Sequence, residues 1–145
     1  MKKFFTFIAA MLFAGSMMAV DFTLSSANQV TLEGVTVSFA KGAGETAPAW
    51  YENGLRLYAK NEVTISSDSL ITGVTFNWQK QGKKAFNTVS ASTGNYTHPT
   101  SAGDGVWTGS ATSVTFTLGE SGQLLLNTFS VTLNGESDST IIPIR

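Results

Sequence analysis

Three observations predict an all-β fold, an antiparallel two-sheet β-sandwich of jelly-roll-like character. Beyond residue 19 no window keeps apolar side chains at i, i+3, i+4 and i+7 through three helical turns. Thr, Ser, Gly, Val and Phe dominate instead, residue types that suit pleated surfaces and the turns between them. Short alternating apolar runs also recur with turn residues roughly every dozen positions, the rhythm of sandwiches and jelly rolls.

The chain opens Met1-Lys2-Lys3 and runs uncharged through residues 4–18, a basic segment followed by an apolar one, with small Ala19 suited to the position before a cut. The run is too short for a bilayer and lacks a stop-transfer pattern, so residues 1–19 are expected to be a signal peptide. The mature chain would then carry no transmembrane segment. The product would be exported to the periplasm, the cell surface or the medium. Removing two lysines and no acid takes the net charge from −1 to −3. Without clustered Lys and Arg, neither nucleic acid nor an anionic membrane is an expected partner. The 145-residue chain has no cysteine, which excludes disulfides and thiolate metal sites and leaves one hydrophobic core to hold one domain, residues 20–134.

Along that domain, Phe22 and Leu24, Val30 and Leu32, and then Val35, Val37 and Phe39 each line one face of a short strand. Residues 41–48 read as a loop by their Gly and Pro content. Pro48 forbids helix, Trp50 and Tyr51 sit at a loop-to-strand junction, and Asn53-Gly54 supplies positive-φ turn residues. The strand at 55–60 then places Leu55, Leu57 and Ala59 on one face and Arg56, Tyr58 and Lys60 on the other. Asn61 reads as a turn. Val63 and Ile65 point inward, residues 67–69 break the strand, and Val74, Phe76 and Trp78 share the inner face of the next. A turn at 80–84 leads into 85–91 as its partner strand.

Residues 93–105 read as a long polar loop, the least structured part of the domain. Residues 106–109 read as a short edge strand, and Val114, Phe116 and Leu118 as the inner face of another that ends in a hairpin turn at 119–122. The last strand starts with Leu124-Leu125-Leu126, which breaks alternation and points to a bulge before Phe129, Val131 and Leu133. Residues 135–145 read as a polar tail or a truncated linker.

Material for catalysis is thin. His98 could be set against Asp104 or Asp68 with one of many serines, but geometry, not composition, defines a triad, and His98 reads as a surface-loop residue. The four aspartates and six glutamates fall mostly at turns and strand ends, where solvation explains them. No Asp-x-Asp-x-Asp spacing suggests calcium. The expectation is therefore no enzyme, no catalytic residue, no metal and no cofactor. The aromatics say more. Trp50, Tyr51, Arg56 and Tyr58, with Trp107 at the margin, combine rings that stack on the apolar face of a pyranose with a guanidinium that satisfies hydroxyls.

Residues 47–61, Ala-Pro-Ala-Trp-Tyr-Glu-Asn-Gly-Leu-Arg-Leu-Tyr-Ala-Lys-Asn, the strand at 64–66, and residues 107–116, Trp-Thr-Gly-Ser-Ala-Thr-Ser-Val-Thr-Phe, resemble a β-sandwich module of secreted Bacteroidota proteins. The resemblance spans most of the mature chain. It implies an accessory role beside other secreted domains and brings no activity or site residues with it. The functional expectation is a noncatalytic binding module for a glycan, and the alternative is an adhesion or assembly module that pairs with an envelope protein.

Overall fold

The computed structural model describes residues 17–134. The expected leader up to residue 16 and the tail at 135–145 lie outside the described residues. Within them the chain is antiparallel β-structure with no helix. The ten strands are β1 (Met17–Thr23), β2 (Val30–Leu32), β3 (Val35–Ala40), β4 (Ala49–Tyr51), β5 (Gly54–Leu57), β6 (Glu62–Gln79), β7 (Val89–Ala91), β8 (Asn95–Thr97), β9 (Gly103–Leu118) and β10 (Leu124–Asn134).

Hydrogen bonding joins all ten into one sheet, where alternation alone suggested two. The long strand β6 is its spine. One edge of β6 pairs first with β3, Val37 opposite Ile65, and then with β10, Val131 opposite Val74. Its other edge pairs with β9 from Thr117 opposite Glu62 to Gly103 opposite Trp78. β7 and β8 flank β9, while β1 and the β4–β5 hairpin flank β10.

The sheet has to curl. Laid straight, the 18 residues of β6 would separate its ends by about 55 Å. Yet Leu118, bonded to Asn61 at the start of β6, is joined by five residues to Leu124, whose neighbour Leu125 pairs with Gln79 at the end of β6. Those few residues reach at most ~20 Å. The sheet therefore wraps into a half-barrel around its apolar face. Register shifts between β6 and β9 on either side of Ala111 add bulges to the longest strand pair, a feature that bends strands.

Several expectations change for this reason. The break at 67–69 does not end β6 but shows in its pairing: β9 steps from Ser113 opposite Ser66 to Ala111 opposite Ile71, skipping residues 67–70, and across the same stretch the other edge exchanges β3 for β10. Residues 106–109 belong to a 16-residue interior strand instead of an edge. The turn at 119–122 does not close a hairpin, since β9 and β10 lie on opposite sides of β6. Of residues 85–91 only Val89–Ala91 forms a strand, paired with β9. Asn95–Thr97 forms β8 inside the expected loop. The turn between β4 and β5 is Glu52-Asn53, and Gly54 alone takes the positive φ.

The inner face is buried. Leu55, Leu57, Val63, Ile65, Val74, Phe76, Trp78, Phe116 and Val131 are buried as alternation requires. Phe39 is half-buried and packs against the same cluster. Phe76 is the hub of the aromatic contacts, stacked on Trp78 at 4.7 Å and meeting Phe116 edge-on at 4.8 Å. Leu124, Leu125 and Leu126 are all buried, and the register shift follows between Leu126 and Phe129, as the broken alternation indicated.

Candidate functional site

Strand register sorts the expected site residues. In an antiparallel pair, directly opposed residues project to the same face. Tyr51 opposes Gly54, two residues before Arg56, so Tyr51 and Arg56 share the outer face, and the Arg56 guanidinium carbon sits 3.8 Å from the centre of the Tyr51 ring. Such a cation over a ring contributes about 0.5–2 kcal/mol, more as water is excluded. Arg56 Nε is enclosed and has no hydrogen-bond partner. Tyr58 joins the same cluster. Burial first, then the Tyr51 hydroxyl, raises its phenol above the ordinary value, with Arg56 acting in the opposite direction.

Trp50 and Trp107 go elsewhere. Trp50 opposes inward-facing Leu55 and therefore projects to the other face of edge strand β4, where it remains 36% exposed. Trp107 is fully buried, its indole N–H donating to the Thr93 carbonyl at 2.6 Å, so it offers no surface to a ligand in this structure. Tyr51, Arg56 and Tyr58 thus form one continuous patch, with Tyr51 42% exposed at its outer end.

Beside Tyr58 the surface sinks into a depression of about 390 Å³, bounded on one side by residues 43–46 and on the other by Glu120, Gly122 and Gln123, with Lys60 between them. Two buried asparagines build its walls. Asn61 accepts from the Tyr58 N–H at 2.7 Å and donates to the carbonyls of Lys41 and Thr46 at 3.2 and 2.8 Å. Asn87 donates to the carbonyls of Gly119 and Gly122 at 3.1 and 3.2 Å. The Lys60 N–H donates to the Gly119 carbonyl at 3.0 Å and ties one wall to the other. Gly122, at φ +97, lies where a Cβ would meet the Ala85 carbonyl. In sequence Asn61 reads as an ordinary turn residue and Asn87 as part of a strand; only their burial reveals them.

His98 lies in the loop after β8, as expected, but is part-buried and bonded through both ring nitrogens. Its Nε2 lies 2.8 Å from the Asn87 carbonyl, which can only accept, so Nε2 carries the proton and Nδ1 accepts from the Tyr96 hydroxyl at 2.6 Å. The Tyr96 oxygen in turn accepts from the Trp78 indole N–H at 2.8 Å. This one-way chain uses both ring nitrogens, leaving neither to Asp104 or Asp68 for proton transfer. Burial lowers the His98 imidazole below its ordinary value, opposed by the Asn87 bond, and burial raises the Tyr96 phenol.

Among the described residues no three His, Asp or Glu side chains gather as metal ligands, and no helix is long and apolar enough to cross a membrane. Compared with protein-family models, curated proteins and solved structures, the chain matches none.

Proposed function

We propose that this protein is an exported, noncatalytic binding module that takes a glycan on the Tyr51–Arg56–Tyr58 patch. The observation that carries this reading is that patch: two phenol rings and a guanidinium continuous along the β4–β5 hairpin and the residue that follows it, one ring open to solvent. Rings stack on the apolar face of a sugar, and the guanidinium fork donates to its hydroxyls. Trp50 offers a third ring, on the reverse face of the same hairpin. In this reading the half-barrel belongs with jelly-roll-like sandwiches and serves as an accessory to other secreted domains. Export rests on the basic start and apolar run of the sequence. Cleavage after Ala19 would retain buried Val20, Phe22 and Leu24 and would remove exposed Met17, Met18 and Ala19, which pair with the end of β10.

A few such contacts give dissociation constants of about micromolar to millimolar. A glycan array followed by calorimetry tests the reading, with Arg56→Ala and Trp50→Ala as controls. Absence of binding to every glycan at millimolar ligand, or binding that both folded variants retain, removes it. A second reading, pairing with an envelope protein by strand addition, is favoured by the open outer edges of β2 and β4, where Leu32 and Trp50 are exposed. Light scattering of the mature protein with candidate partners would detect it.

A further inference from the structure

The depression beside Tyr58 is an open surface feature whose walls are held by buried side chains. Asn61 and Asn87 are the buried polar side chains there, and both direct their amides into its walls. A buried amide is costly unless fully bonded, so each also dictates where its loop sits. Walls held this way are already ordered before a ligand arrives, and less freedom is lost on binding. The volume, about 390 Å³, lies at the lower end of the range for small-molecule sites.

Its lining carries the chemistry. Glu45, Glu120, Lys60, Gln123, Thr46 and Tyr58 present acceptors and donors with a net charge of −1. Tyr58 belongs to both the depression and the patch, and Arg56, two residues earlier on the strand, lies about 7 Å away. A ligand that stacks on Tyr51 can therefore continue past Tyr58 into the depression.

We propose that the depression is a second sugar subsite, contiguous with the patch, that takes a neutral or amino sugar unit and disfavours a uronic acid. The proposal rests on the glycan-binding reading and specifies its ligand: a chain of at least two units whose inner unit bears no carboxylate. Glu45 and Glu120 repel an anion, Lys60 offsets one of them, and a single uncompensated charge at ~4 Å in water corresponds to a preference of about fivefold.

The test uses the mature protein and a panel of neutral, amino and uronic-acid oligosaccharides of one to six units, read by calorimetry at low salt. Neutral or amino oligomers should bind at least fivefold more tightly than uronates of equal length, and dimers more tightly than monomers. The exposed pair Glu45→Gln and Glu120→Gln should bring uronates to within about twofold of neutral chains, and ~0.5 M salt should narrow the gap in the unaltered protein. A preference for uronates, or a discrimination that the double variant leaves unchanged, overturns the proposal. If Tyr51→Ala and Arg56→Ala abolish binding while the double variant changes nothing, the subsite fails and the patch stands. If no member of the panel binds, both fail.

Discussion

Replacing Asn61 measures how firmly the depression is held. Its side chain is fully buried and makes three hydrogen bonds, one as acceptor and two as donor. Asn61→Ala removes all three and leaves the Tyr58 N–H without its acceptor; at about 1 kcal/mol per bond, plus a penalty for the orphaned group, the expected loss is about 3–5 kcal/mol. For a domain of this size that lowers the melting midpoint by about 10–20 °C. Asn61→Asp keeps the acceptor for Tyr58 but turns a second bare oxygen toward two carbonyls. A carboxylate enclosed there has its pKa raised in the folded state above the unfolded value of about 3.9. A raised folded value means the penalty is absent below about pH 3.9 and grows as pH rises toward the folded value. Asn61→Asp should thus be at least as damaging as Asn61→Ala at pH 7 and recover relative to wild type at pH 4, where its protonated oxygen donates to Thr46. Urea denaturation followed by the fluorescence of buried Trp78 and Trp107 reports both quantities. A loss below 1 kcal/mol in Asn61→Ala, or an Asn61→Asp deficit that is the same at both pH values, would refute the account of the walls.

Other perturbations address the core, the histidine and the leader. Phe116→Ala, which removes a fully buried ring touching Phe76, Tyr96 and Trp107, should cost ~3–5 kcal/mol in the same assay, and a cost under 1 kcal/mol would misplace that face. Because the folded His98 value is depressed, its contribution to stability is complete above about pH 6.5 and falls away as pH drops through the folded value. Denaturation midpoints should therefore decline on mild acidification, and His98→Gln should flatten that decline; an unchanged slope would contradict the one-way bond chain. Intact mass of exported protein should begin at Val20, and an uncleaved product held in the inner membrane would overturn the signal reading.

Alternation alone established the all-β class and the inner face, because a strand's side chains change sides at every residue whatever its partners. Val63, Ile65, Val74, Phe76, Val114 and Phe116 were legible for that reason, as was the bulge announced by Leu124-Leu125-Leu126. The Tyr51–Arg56–Tyr58 patch was half legible: the spacing of Arg56 and Tyr58 put them together, but the side on which Trp50 and Tyr51 fall depends on the β4–β5 register. Pairing across long separations belonged to the tertiary structure. Ser67, Asp68 and Ser69 signal a break locally, and the structure turns it into a bulge that β9 skips while the other edge of β6 changes partner from β3 to β10. The same holds for polar residues. Asn61, Asn87 and His98 look like turn, strand and loop residues, since burial and hydrogen-bond partners up to 35 positions distant cannot be read from neighbours in the chain. The curl of the sheet brings those partners within bonding distance, and with them it creates the depression.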